Sequence, residues 1–280
     1  MTRMHRSQLQ RPHPKTFSPF KLSIFAVVVI TSFLFLENPI ASVKKNFTDG
    51  TETQNNEISE SSIQLTSHLG TGAQRKTLNY LHCGVSFTSE NKPSDNEVEI
   101  VLLHGAKFTK DNWSESGILD SLCNSTQSHD MKSSVVALDL SVQADGNGFI
   151  NAIDSLVGER VLSGNPIVVV SPSASGKAIV SLSSSNDEDR LRELIKVWIP
   201  VASPSVLSAK DEALSKFRLA NIPILAINGN RDVMGKKVTN KLVSIAGAEG
   251  LEIDGGHPCY LDSPRSFVNI VLEYLKKNLT

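Results

Sequence analysis

Three side chains of the types needed for nucleophilic acyl transfer fall just past short apolar runs. Ser173 lies in Ser171-Pro172-Ser173-Ala174-Ser175-Gly176. Asp232 closes Asn228-Gly229-Asn230-Arg231-Asp232, and His257 lies in Asp254-Gly255-Gly256-His257-Pro258. A serine hydroxyl is a weak nucleophile until a base takes its proton. Histidine is the base whose unperturbed pKa lies near neutrality. A carboxylate fixes the imidazole tautomer and stabilises its charged form. The order serine, acid, histidine is the one expected when all three follow strands of one parallel sheet. The backbone N–H groups of Ala174 and of Ala106, in His104-Gly105-Ala106, are placed to form an oxyanion hole.

Each assignment has a plainer rival. Ser171 and Ser175 flank Ser173 at positions where the common G-x-S-x-G turn carries glycines, and read as small residues that permit close packing. Asp254 competes with Asp232 but stands only three residues before the histidine. His104 reads as a loop residue, Cys259 as buried packing, and Trp113 and Trp198 as core. Asn-x-Arg-Asp is also good turn chemistry.

These residues need a scaffold, and the chain supplies one. Apolar runs at 99–103, 134–138, 166–170, 197–201 and 223–227 read as strands buried on both faces. Stretches with apolar residues three and four apart, such as 149–162, read as the intervening helices. Alternation of this kind predicts an α/β fold, a mostly parallel central sheet with helices on both faces and no large lid domain. In such sheets ligands bind beyond the carboxyl ends of the strands, where the three residues sit.

The chain has 280 residues, 40% apolar and 20% charged, with a formal net charge of −1. No basic stripe suggests nucleic acid. Residues 1–21 carry Arg3, Arg6, Arg11, Lys15 and Lys21 and no acid. The apolar run that follows, within residues 22–39, is expected to be a signal anchor, with a cleaved signal peptide as the alternative. With the positive flank inside, a single-pass type II arrangement would place the rest in the lumen or outside the cell. Residues 40–75, rich in Ser, Thr, Asn, Gln and Glu, read as a flexible stalk, and residues 76–280 as the folded domain. Asn46, Asn112, Asn124 and Asn278 each begin an N-x-[ST] sequon. The three cysteines, Cys83, Cys123 and Cys259, allow one disulfide. No metal-ligand spacing occurs.

The segment Leu102-Leu103-His104-Gly105 with Phe108 and Trp113 nearby, the Ser-Pro-Ser-x-Ser-Gly turn, the stretch 198–202, Asp232-Val233-Met234-Gly235, and Gly256-His257-Pro258-Cys259-Tyr260-Leu261-Asp262 together resemble the α/β-hydrolase superfamily. More narrowly they resemble the α/β-hydrolase domain-containing protein 14 family, from Lys76 onward. The resemblance implies a lidless serine hydrolase acting on small acyl esters, with Ser173 as nucleophile, Asp232 as orienting acid and His257 as base. One branch of that family is anchored by a single N-terminal helix. For the soluble branch the resemblance implies acyl transfer from acetylated lysine to coenzyme A. Two departures bear on substrate preference: the loop 141–148 lacks the family's Pro-Gly-x-Gly-x-Ser, and 187–192 is charged where relatives are apolar.

The expectation is a hydrolase of a small acyl ester, thioester or amide, or of an acylated protein, without a resident cofactor. A transferase using a thiol acceptor such as coenzyme A is the alternative. A catalytically silent binding module on the same fold is the third reading.

Overall fold

A computed structural model describes residues 57–69, 72–84, 97–127 and 132–279. The basic head, the expected anchor and Asn46 lie outside the described residues.

The strands are β1 (Ser59–Leu69), β2 (Gly72–Cys83), β3 (Glu97–Leu102), β4 (Lys132–Leu138), β5 (Ile167–Pro172), β6 (Ile195–Val201), β7 (Leu225–Gly229) and β8 (Glu249–Ile253). They form one sheet in the order β1-β2-β4-β3-β5-β6-β7-β8. β1 and β2 are antiparallel to their neighbours, and β3 to β8 run parallel. The helices are α1 (Asp111–Glu115), α2 (Ile118–Gln127), α3 (Gly146–Gly158), α4 (Gly176–Ser185), α5 (Glu188–Leu194), α6 (Ser205–Ser208), α7 (Asp211–Leu219), α8 (Val233–Ala246), α9 (Cys259–Asp262) and α10 (Pro264–Leu279). The expected fold class is the one observed.

Alternation along the strands sends successive side chains to opposite faces. Val101, Leu103, Val169 and Trp198 pack with Phe149 of α3, Leu182 of α4, Phe217 of α7 and Leu242 of α8. Their chain neighbours Ile100, Leu102, Val168, Val170 and Val197 pack with Trp113 of α1, Leu122 of α2 and Phe267 of α10. Two cores sandwich the sheet, which is why its central strands are apolar without interruption. The connections between β3 and β8 carry only helices, so no separate domain roofs the strand ends.

The expected stalk at 40–75 is corrected in its second half. β1 lies there, paired with β2 from Ser59 opposite His82 to Leu69 opposite Gly72. Its polar composition hid it because it is an edge strand. Ile63 is buried, while Ser59, Glu60, Ser61 and Ser62 are exposed. The backbone ladder to β2 holds it where composition predicted nothing to bury. The Lys110 side chain, only 5% exposed, reaches Glu60 Oε1 at 2.8 Å and Asp111 Oδ1 at 2.6 Å. β1 is thereby tied to the segment that follows β3.

Cys83 at the end of β2 and Cys123 in α2 form a disulfide with Cα atoms 6.1 Å apart, leaving Cys259 free and buried. Asn124 is exposed on α2, and Asn278 is exposed near the end of α10. The amide of Asn112 is half-buried and donates to Glu115 Oε2 at 2.9 Å. Among the described residues no helix is long and apolar enough to cross a membrane.

Candidate active site

β5 is buried along its whole length and ends at Pro172. The chain then makes a single 3₁₀ turn, Ser173–Ser175, before α4. Ser173 has φ +53°, a left-handed conformation that a non-glycine residue adopts at a cost of about 1–2 kcal/mol. Several contacts hold it there. The Trp198 indole N–H donates to Ser171 Oγ at 2.8 Å, Ser203 Oγ donates to the Ser171 carbonyl at 2.7 Å, and Ser175 Oγ donates to the Pro172 carbonyl at 2.9 Å. Ser171 and Ser175 are thus buried and engaged in building the turn, and Ser173 is the residue the turn presents. Gly176 must be glycine, because a Cβ there would lie 2.4 Å from Ser203 Cβ and Oγ.

Asp232 is the N-cap of α8, and its Oδ1 accepts the Gly235 N–H at 2.9 Å. Its other oxygen, Oδ2, lies 2.7 Å from His257 Nδ1. His257 Nε2 is 2.8 Å from Ser173 Oγ. With Nδ1 protonated, the imidazole donates to Asp232 and accepts from the Ser173 hydroxyl. The carboxylate is 8% exposed and the imidazole 40%, so the base faces solvent while its partner is sheltered. The His257 loop lies against the end of β7. A Cβ on Gly229 would meet the Gly256 carbonyl oxygen at 2.2 Å, so the glycine lets the two strand ends close up.

The rival residues have other partners. Asp254 is exposed and accepts from Asn230 Nδ2 at 3.0 Å and Arg231 Nη1 at 2.7 Å, which hold its carboxyl below the usual range. His104 Nδ1 donates to the Gly105 carbonyl at 2.9 Å. Cys259 is buried beneath the loop, and burial with the Asp232 charge pushes its thiol up to about 12, which keeps it protonated. Trp113 is core, as expected, and its indole N–H also donates to the Leu103 carbonyl at 3.0 Å, fixing the segment that leads to Ala106.

Ala106 sits in a turn closed by the Phe108 N–H on the Gly105 carbonyl at 3.0 Å. Ala174 sits in the first turn before α4, where backbone N–H groups lack partners within the helix. Ala106 lines a cleft of about 330 Å³, and Ala174 follows Ser173, which lines it too; Gly105, Ala106, Phe108, Pro172, Ser173 and His257 form much of the wall. Lys107, Pro258 and Tyr260 complete it, residues that pattern reading left without a role in the site. Their signal was only their adjacency to the two motifs. A larger, more open hollow of about 520 Å³ between α4, α6 and α7 has no histidine or cysteine in its lining. Neither of the two departures from the resembled family's pattern is part of the cleft lining. Asp145 caps α3 through the Gly148 N–H at 2.9 Å, and Asp187 caps the charged α5 through the Arg190 N–H at 2.9 Å.

No protein-family model matches the chain. It is 27% identical over 206 residues to ABHD14B of Rattus norvegicus, covering 68% of this chain and 90% of the relative, whose name provisionally assigns protein-lysine deacylase activity. It is 26% identical over 195 residues to protein ABHD14A of Danio rerio, covering 64% of this chain and 65% of the relative. Among solved structures it superposes on a ferulic acid esterase with TM-score 0.56 and 12% identity, covering 81% of this chain and all of that one. A thermophilic esterase from Thermogutta terrifontis gives TM-score 0.55 at 14% identity, covering 79% and 100%. With serine, acid and histidine at three strand ends of this sheet, the chain has the fold of the α/β-hydrolase enzymes and is similar in sequence to ABHD14B.

Proposed function

We propose that this chain is a serine hydrolase that cleaves a small acyl ester, thioester or amide through an acyl-enzyme. The observation that carries the reading is the continuous chain from Ser173 Oγ through His257 to Asp232, at 2.8 and 2.7 Å, opening onto the cleft. His257 Nε2 takes the Ser173 proton as Oγ bonds to the acyl carbon. The electron pair moves onto the carbonyl oxygen, which the Ala106 and Ala174 N–H groups stabilise. Collapse breaks the bond to the leaving group, which departs with the proton from His257. Water then attacks the acyl-enzyme with His257 again as base, releasing the acid and free Ser173.

The deacylase name of the ABHD14B relatives supports an acylated protein lysine as one substrate class. In the alternative reading the acyl group passes to a thiol such as that of coenzyme A. The two are separated by whether added thiol yields an acyl-thioester product. We also place the domain on the lumenal or extracellular side of a membrane, held by an N-terminal signal anchor in the membrane-anchored manner of the family it resembles. The Cys83–Cys123 disulfide supports this, since such bonds persist in oxidising compartments. Glycosidase treatment of the expressed chain should raise its mobility, and Asn124→Gln should remove part of that shift. No shift with any sequon intact would refute the placement.

The test of the chemistry is fluorophosphonate labelling of the full-length chain beside Ser173→Ala and His257→Ala. Labelling is expected for the wild type and in neither variant. A folded wild type that neither labels nor cleaves a small ester would leave a binding module as the reading.

A further inference from the structure

The cleft beside Ser173 is polarised in one direction only. Its walls are apolar, from Phe108, Pro172, Pro258 and the ring of Tyr260, and no aspartate or glutamate lines it. The Asp232 carboxylate lies behind His257 and is engaged by it. Lys107 is the lysine of the lining; it is exposed and forms no ion pair among the described residues.

Tyr260 adds a second donor. It is 3% exposed, and its ring is held between Trp113 at 4.7 Å and Phe267 at 6.0 Å. Its hydroxyl has no hydrogen-bond partner among the described residues. Among the described residues the fully enclosed unpartnered hydroxyls are those of Ser205 and Thr239; the Tyr260 phenol is not one of them, and Tyr260 is part of the cleft lining. Burial raises the phenol's pKa, so it remains a donor at neutral pH. The cleft offers a cation and an unused O–H, and no carboxylate to accept from either. At about 330 Å³ it is near the small end of ligand pockets, which run roughly 300–1,000 Å³.

We propose that Lys107 and Tyr260 select acyl groups ending in a carboxylate, the half-acyl derivatives of a short dicarboxylic acid such as succinyl or glutaryl. This rests on the serine hydrolase reading of Ser173 and names the substrate class of that site. The acyl carbonyl sits at Ser173, its short methylene chain lies along the apolar wall, and the distal carboxylate accepts from the ammonium and the phenol.

The experiment compares 4-methylumbelliferyl hemisuccinate with its methyl ester, which has the same acyl chain without the charge. The full-length chain is used in detergent, with uncatalysed hydrolysis subtracted. The readout is the ratio of kcat/KM for the charged and uncharged substrates within each protein, so a general change in activity cancels. The ratio is expected to fall about 1.4–5-fold in Lys107→Met, the range for an exposed ion pair, and further in Lys107→Glu. A fall is also expected in Tyr260→Phe, and in the wild type at 1 M salt, where an exposed charge is screened. A second pair, 4-acetoxybenzoate and its methyl ester, carries the charge on the leaving group. A fall confined to that pair would overturn the acyl assignment, as would a ratio unmoved by both Lys107→Met and Tyr260→Phe. Absence of turnover on every ester together with absence of fluorophosphonate labelling would be the failure of the hydrolase reading itself.

Discussion

Asp232 serves two masters, and Asp232→Asn sets them against each other. Oδ1 accepts the Gly235 N–H at 2.9 Å as the cap of α8, and Oδ2 accepts from His257 Nδ1 at 2.7 Å. A carboxylate can do both, but an amide has only one oxygen. With that oxygen toward Gly235, the NH₂ faces Nδ1 and forces the proton onto Nε2, which can then no longer accept from Ser173. With the amide flipped, the imidazole keeps its tautomer but two donors meet at Gly235. Leaving that buried N–H unsatisfied costs about 1–3 kcal/mol, so the flipped form is a minor population, lower by about 5–150-fold. Losing the negative charge that stabilises the imidazolium multiplies this. Related triads lose about 10⁴-fold in kcat on the same change. We therefore expect a loss of roughly 10²–10⁴-fold in fluorophosphonate labelling rate and ester kcat/KM, with stability close to wild type. Asp232→Ala loses the cap as well and should cost about 0.5–2 kcal/mol in urea denaturation. An Asp232→Asn protein that is folded and within fivefold of wild type in both rates would refute this account of the acid.

Gly176→Ala should destabilise by about 1–3 kcal/mol, because its Cβ would meet Ser203 at 2.4 Å; Ser203→Gly in the same chain should recover part of the loss in urea denaturation, and no recovery would place the strain elsewhere. Cys123→Ser opens a crosslink spanning 40 residues of sequence and should cost up to about 4 kcal/mol by chain entropy; its Tm should become insensitive to a reductant that lowers that of the wild type. His82 is buried, bonded to Ser134 Oγ at 2.9 Å, and burial lowers its pKa below the usual value. The unfolded chain therefore takes up a proton near pH 6.5 that the folded chain resists, so this stability is present above pH 6.5 and lost as pH falls through the folded value. His82→Gln should flatten the decline between pH 7 and 5, and an unchanged slope would assign the acid sensitivity to other groups.

The parts of this molecule that were legible in its sequence are those decided locally. β3 and β5 to β7 are apolar on both faces, so they stand out as unbroken runs, and the turn chemistry after them marks where side chains emerge above the sheet. Ser173, Asp232 and His257 were found that way, and the structure brings the three together. What was hidden depends on partners far along the chain. β1 exists through its ladder with β2, and its few buried side chains gave composition nothing to register. The choice of Cys83 and Cys123 from three cysteines follows from the antiparallel seat of β2 beside β4 and the packing of α2 over it. The unused hydroxyl of Tyr260 is visible only once the neighbours that fail to accept from it are known. Ser171 looked like a concession to space and turns out to receive the Trp198 indole.

The ion pair between Lys110 and Glu60 bears on where this enzyme can be cut. A fragment begun at residue 76, where the composition changes, would discard β1 and expose the outer backbone of β2 as a template for pairing with other chains. It would also take from Lys110 one of the two carboxylates its ammonium contacts, leaving Asp111 as its ion-pair partner. Lys110 is four residues from Ala106, on the same segment. Trimming what reads as a tether would therefore make a stickier protein and unsettle the floor on which an oxyanion must rest; a cut ahead of residue 57 keeps both the edge and the charge covered.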